Sequence, residues 1–219
     1  MPRRKPKVSY HLDSAGLHSL PEADVQAILR GADDLIMRGG RTLLVKVLKG
    51  SRSKDVLEQG LDRSPVYGHF RLLSPDEVMA RIDLVILKGY MTLEYDHRLP
   101  LLIYTPKGWA IEREIYADEL LGQLRRALTC PEPVDLSHLK DKNREVIWLL
   151  LDKVQATGEP RFVPLLRAWA EVDSKKVRQR IRQVIQALGE PHAESGTASE
   201  KPSPASESDA AQSGERKLR

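Results

Sequence analysis

Along the first half of the chain, apolar positions recur three or four apart and are cut by glycine. Val25, Ile28 and Leu29 follow Pro21, a residue suited to a first turn, and predict a helix that ends by Gly39-Gly40. "RTLLVKVLK" predicts a second helix, stopped by Gly50. "SKDVLEQGL" predicts a short third, with Ser51 or Ser53 as its cap. In "SPDEVMARIDLVILKGY", Ser74 and Glu77 form a capping box and Pro75 takes the first helical position. Val78, Ile82 and Val85 make its buried stripe, and Gly89 ends it. The period then shortens: "YMTLEYDHRLPLLIYTPKG" predicts two strands around a turn near Asp96-His97-Arg98.

Three helices followed by a hairpin is the order of a winged helix, with the hairpin as wing. "WAIEREIYADELLGQLRRAL" continues as an amphipathic helix over 109–128, and "CPEPVD" reads as a linker. Three more helices follow, with turns at Gly158-Glu159-Pro160 and at Asp173. The expected class is therefore mainly α with a small β wing. The expected organisation is a basic arm over 1–20, a winged helix over 21–108, a helical extension over 109–189 and a tail over 190–219. That tail is Ser, Ala, Glu, Pro and Gly with almost no large apolar residue, a composition expected to stay disordered.

Composition narrows the function classes. The 219 residues carry a net charge of +4 and a pI near 9.1, which favours an acidic partner. The single cysteine, Cys130, excludes an internal disulfide and a multi-cysteine zinc site. The six histidines lack metal-ligand spacing, so no metal or cofactor is expected. The longest strongly apolar run, Val146 to Leu151, is far short of the ~20 residues a membrane span needs. "MPRRKPK" has no apolar stretch behind it and is not read as a secretory signal, so a cytoplasmic, nucleoid-associated protein is expected. Paired catalytic carboxylates, a nucleophile with a histidine partner and a cofactor loop are not arguable from these residues, and an enzyme is not expected.

The stretch Lys49-Gly50-Ser51-Arg52 carries the candidate chemistry. Glycine lets a nucleic-acid strand's backbone come close, a following helix start presents N–H groups, and Lys49, Arg52 and Lys54 add charge. This suits one phosphate. A helix end followed by a capped helix, with solvated cations, fits the same residues.

The segment from Leu48 to Gly108 resembles the RecQ C-terminal (RQC) domain, the winged helix of RecQ-type DNA helicases. The resemblance rests on Leu48-Lys49-Gly50-Ser51, on Ser64-Pro65-Val66-Tyr67-Gly68 running to Ser74, on Gly89-Tyr90 and on Tyr104-Thr105-Pro106-Lys107-Gly108. It is similar in particular to small bacterial proteins that carry this domain without a motor. The Ser-to-Tyr-Gly spacing is one residue longer than in the family. The chain has no G-x-x-x-x-G-K-[ST] loop, and one cysteine cannot build the zinc module that usually precedes the domain. The resemblance implies that Lys49 and Ser51 touch the DNA backbone, that Arg71 adds a contact, and that the wing, with His97 and Arg98 at its tip, meets the duplex end. Strand opening would then draw on binding energy or on a partner helicase or nuclease.

On the helix beginning at Ser74, Arg81 and Lys88 read as outward, among Asp76, Glu77 and Asp83. Such a mixed face reads bases poorly. Denser charge lies earlier, at Arg41, Lys46, Lys49, Arg52 and Lys54. The segment 162–190 resembles a HEAT repeat, with Val177, Ile181, Val184 and Leu188 as its last buried stripe. Lys175, Lys176, Arg178, Arg180 and Arg182 on that helix have no acid between Asp173 and Glu190. A solvated face, a second strand contact and a protein-docking surface all fit them. The expected function is non-enzymatic DNA binding at ends, forks or junctions, with little sequence preference, in replication or repair. A protein-interaction adaptor using the HEAT-like helices and a winged-helix transcription regulator are the alternatives.

Overall fold

Capping chemistry sets the element boundaries. The computed structural model describes residues 11–96, 99–129 and 135–189. Helix α4, Pro75–Leu87, begins as expected: the Glu77 N–H donates to Ser74 Oγ at 3.2 Å and the Ser74 N–H to Glu77 Oε2 at 2.7 Å. That backbone N–H of Ser74 holds the Glu77 carboxyl below its usual range. Helix α2 spans Arg41–Lys49, the predicted stretch. The short α3 covers only Lys54–Glu58, with Ser53 at the cap position and a 3-10 turn after it at Leu61–Arg63.

Helix α1, Glu22–Asp33, stops well before Gly39-Gly40, where the sequence pattern carried it. The reason is a backbone demand from the wing. Strands β1, Met91–Asp96, and β2, Leu99–Tyr104, pair antiparallel from Met91↔Tyr104 to Asp96↔Leu99. The outer edge of β2 still needs partners, and the segment after α1 supplies them: Met37 N–H donates to Leu102 O at 3.1 Å, and Leu102 N–H to Gly39 O at 3.0 Å. The register leaves His97 and Arg98 between the strands, where the hairpin was expected to turn. These two residues, like Arg3 to Lys7 and the tail from residue 190, lie outside the described residues.

The architecture is mainly helical with one small antiparallel sheet, a winged helix followed by a helical extension. The first core gathers Ile28, Leu29, Leu44, Leu48, Val78, Ile82, Val85, Met91 and Leu102. Residues 11–20, expected within an arm, lie against it: Leu12 and Leu20 pack on the core, and Asp13 N–H donates to Asp83 Oδ2 at 3.0 Å. The second core gathers Leu120, Leu124, Val146, Leu150, Trp169, Ile181 and Val184 from α5 (Pro106–Ala127), α6 (Arg144–Ala156), α7 (Val163–Val172) and α8 (Lys175–Gly189), with Phe162 from the 3-10 turn before α7. The predicted α8 stripe of Val177, Ile181, Val184 and Leu188 is buried in full. Asp173 is buried between α7 and α8. Burial alone would raise its carboxyl, but the Ser174 N–H, Trp169 Nε1–H and Arg144 hold it below the usual range.

Helix α5, Pro106–Ala127, belongs to both cores. It starts three residues before the expected position because Thr105 caps it, accepting the Gly108 N–H at 3.2 Å. The Thr105 hydroxyl in turn donates to Gly89 O at 2.7 Å, and its backbone N–H donates to Tyr90 O at 3.1 Å. A Cβ on Gly108 would stand 1.9 Å from the Tyr90 carbonyl oxygen, so no other residue fits there. Further along, α5 meets α1 through buried charge. Arg30 Nε donates to Glu119 Oε2 at 2.6 Å and lies 3.9 Å from Glu112 Oε1, while its Nη1 stands 3.7 Å from Asp33 Oδ2. Glu112 is fully buried and neither of its oxygens has a hydrogen-bond partner. Burial, reinforced by Asp33, pushes its carboxyl up to about 9, so it is protonated at neutral pH.

This gives a pH dependence with a definite sign. Below the ordinary value of 4.5 Glu112 holds its proton in both folded and unfolded chains; between there and about 9 only the folded chain holds it. Its contribution to stability therefore declines as pH rises through that window. Glu112→Gln removes the slope. In urea denaturation at about pH 6 and about pH 8.5, the wild type should lose stability relative to Glu112→Gln, by at most ~1.4 kcal/mol per pH unit. Parallel pH profiles for the two proteins would contradict the assignment.

Candidate nucleic-acid interface

The turn from α2 into α3 is built by backbone meeting backbone. Gly50 takes the left-handed conformation, φ 72°, and its N–H closes on Val47 O at 2.9 Å, while Ser51 N–H closes on Lys46 O at 2.9 Å. Carbonyls at the end of α2 also accept from the segment between α3 and α4. Gly68 N–H donates to Val47 O at 3.0 Å, and Phe70 N–H to Leu48 O at 2.8 Å. A Cβ on Gly50 would lie 3.1 Å from Gly68 Cα, and Tyr67 Oη donates to Ser51 O at 3.0 Å. What comes close at Gly50 is thus this protein's own Tyr67-Gly68.

The same packing decides what each candidate side chain is available for. Lys49 Nζ donates to Arg71 O at 2.8 Å and, closer still, to Leu73 O. Its ammonium ties the turn over residues 70–73 to α2 and keeps donor capacity for one further acceptor. Ser51 Oγ accepts the Ser53 N–H at 3.2 Å. Lys54 is largely exposed and faces Glu58 at 3.6 Å, one helical turn on. Arg52 and Arg71 are exposed, and neither guanidinium has a partner among the described residues. Lys49, Gly50, Ser51, Arg52 and Arg71 are therefore brought together, the last through Lys49's grip on the Arg71 carbonyl.

Other cations prove to be structural. Arg41, counted with the outward charge, is ion-paired with Asp83, which is buried rather than on the outer face of α4. Asp83 also accepts the Asp13 N–H, so it holds three segments at once. Lys46 donates to Asp55 Oδ2 at 2.5 Å and, as the first cause, lowers that carboxyl. Arg81 is drawn back along α4, its Nη1 donating to Glu77 O at 3.0 Å and its Nε 3.9 Å from Asp24. Arg180 donates to Asp152 Oδ1 at 2.6 Å and to Gln155 Oε1 at 3.2 Å. Lys175, Lys176, Arg178 and Arg182 stay exposed without ion pairs among the described residues.

One feature of the surface was not legible. Leu72 is 92% exposed beside Arg71, although Phe70 next to them is buried. In "HFRLLS" nothing marks one leucine as solvent-facing and the other as packed. On the wing, Tyr95 near the end of β1 and Leu99 at the start of β2 are also exposed.

Residues 22–119 match the family model of the RQC domain. No curated protein and no solved structure matches the chain. The matched segment begins with α1 and ends inside α5, so it takes in the whole winged helix and the seam with the extension.

The double use of Lys49 separates it from its neighbours. Lys49→Met removes donors from two backbone carbonyls and should cost roughly 1–3 kcal/mol of folding stability. Arg52→Ala and Arg71→Ala should each stay within about 0.5 kcal/mol of wild type. Urea denaturation of the three variants is the check. Equal stability of Lys49→Met and Arg52→Ala would mean that Lys49 does not brace the turn.

Proposed function

We infer, from the premise that this chain carries an RQC domain over residues 22–119, that it is a non-enzymatic protein binding the backbone of DNA at ends, forks or junctions. An RQC domain is a nucleic-acid-binding winged helix without catalytic machinery. The observation that carries the finer reading is the pair of uncompensated guanidiniums, Arg52 and Arg71, beside the turn that Lys49, Gly50 and Ser51 form. Three cationic side chains and a serine within one turn suit successive phosphates of one strand, and phosphate contacts position a protein without reading bases.

Helix α4 supports little sequence preference. Its Arg81 is engaged by Glu77 and Asp24, and its exposed first turn presents Asp76 and Glu77. A regulator reading an internal site would need long, uncommitted donors there. Among the described residues only Lys88 at the far end of α4 meets that description. The wing suits a duplex end instead: exposed Tyr95 and Leu99 flank His97 and Arg98, and an aromatic ring can cover a terminal base pair. Lacking a motor motif, the chain would assist strand opening by binding energy or beside a helicase or nuclease, in replication or repair and at the nucleoid. The exposed cations of α8 favour, as a second reading, an additional contact made by the HEAT-like extension, to a strand or to an acidic protein face.

Arg52→Ala/Arg71→Ala should weaken binding to all duplexes alike. It should also flatten the log-affinity against log-salt slope by roughly 0.9 for each phosphate no longer neutralised. An unchanged slope in the folded variant removes the backbone site. A forked duplex should bind more tightly than the same sequence closed by hairpins at both ends. His97→Ala should reduce the fork affinity by roughly 5- to 150-fold and spare the closed duplex. Equal affinity for the two substrates, unaffected by His97→Ala, leaves a general DNA-binding winged helix and no end recognition.

A further inference from the structure

A cavity of about 510 Å³ opens where the winged helix meets the extension, between α1, the turn after α3 and α5. Its wall is cationic. Arg38, Arg63 and Lys142 line it, from three different segments, and none of them forms an ion pair among the described residues. Of the two carboxylates on the wall, Glu119 is already taken by Arg30, which leaves Asp34 against three cations.

Of the two buried polar groups in the same wall, one lacks a partner. Arg30 has a side chain only 8% exposed and is answered: its Nε donates to Glu119, its Nη1 stands 3.7 Å from Asp33 Oδ2 and its guanidinium lies over the Tyr116 ring. The Ser64 hydroxyl, in a residue 9% exposed, has no hydrogen-bond partner. Folding a donor away from water and leaving it unpaired is costly, and a ligand rich in acceptor oxygens satisfies it. Arginine matches oxyanions with paired N–H groups, and a phosphate monoester carries close to two negative charges near neutral pH.

We propose that this cavity is a phosphate-monoester site that takes the terminal phosphate of a nucleotide or of a nucleic-acid strand. A tetrahedral dianion matches the surplus of cations, and its several oxygens reach Arg38 and Arg63 while accepting from Ser64. The site is separate from the turn at Lys49 to Arg52 and stands whether or not that turn holds a DNA backbone. An internal phosphodiester has one charge and no free end, so the cavity distinguishes strand termini from strand interiors.

The test uses the full chain. Inorganic phosphate should raise the melting temperature above that in chloride of equal ionic strength. A short single strand with a 5′-phosphate should bind about tenfold or more tightly than the same strand with a 5′-hydroxyl. Arg38→Ala/Arg63→Ala changes two exposed residues and should fold normally; it should abolish both differences. Ser64→Ala, a buried change, should weaken phosphate binding without altering the preference for chain length. Adenosine monophosphate binding as tightly as the phosphorylated strand would identify a free nucleotide as the ligand; tighter strand binding would identify the strand end. The proposal is overturned if phosphate stabilises no more than chloride and the two strand ends bind equally. It is also overturned if the Arg38→Ala/Arg63→Ala protein keeps the full effect.

Discussion

The approach of Gly108 to the Tyr90 carbonyl fixes how the two halves of this molecule are joined. No side chain fits in the space, and Thr105 binds the carbonyls of both Gly89 and Tyr90. The start of α5 is therefore clamped to the end of α4 and the beginning of the wing. From that point α5 runs 22 residues, long enough to pass from the first core into the second. Arg30 secures the crossing: although burial disfavours its charge, the Glu119 carboxylate holds its pKa above the usual value. The Tyr104 hydroxyl adds a bond to Leu29 O at 2.7 Å from the wing side. With the helix held at both ends, the extension has a set orientation on the winged helix, and the cavity between them has a set shape.

A second backbone contact organises the turn from α2 into α3 by the same logic. Gly50 against Gly68 lets the segment after α3 lie across the end of α2 and close its carbonyls. The pieces that carry the family resemblance thus fall into two contacting pairs. Lys49-Gly50-Ser51 meets Tyr67-Gly68, and Gly89-Tyr90 meets Thr105 to Gly108. These motifs are explained by folding without any ligand. A recurring Gly-Ser beside a basic residue is therefore weak grounds for a phosphate contact. The stronger grounds are charges that the fold leaves unanswered, since a cation already paired within the fold has less to offer a phosphate.

Much of the architecture was legible because it is written in local chemistry. The capping box at Ser74, the limits of α2, the period-2 strands and the apolar stripe of α8 need only neighbours in sequence. The end of α1 was not legible, because Met37 and Gly39 serve as an edge for β2, more than sixty residues away in the chain. Charge was read least well. Arg41, Lys46, Arg81 and Arg180 look alike in the sequence to Arg52 and Arg71. Their partners Asp83, Asp55, Asp24 and Asp152 are set by the tertiary fold. Asp83 looks like a surface acid and is a buried hub, while Glu112 looks like one more helix carboxylate and is a buried neutral acid.

Sorting the cations by whether the fold answers them changes the picture of the surface. The basic stretch before α4 loses Arg41 and Lys46 to ion pairs and most of Lys49 to carbonyls, so its field is smaller than its composition suggests. Among the described residues, the cations left without ion pairs include Arg52 and Arg71 at the turn, Arg38, Arg63 and Lys142 at the seam, Lys88 at the end of α4, and four on the outer face of α8. Each of the first two places draws one arginine, Arg71 or Arg63, from the segment Leu61 to Leu73, which is braced by Lys49 and pinned through Gly68 and Phe70. A strand entering either place meets a wall whose backbone is already braced, so little of its binding energy is spent on ordering the protein. If the charges at these places hold DNA as proposed, their rigid placement favours selection of a nucleic-acid shape over attraction to any polyanion.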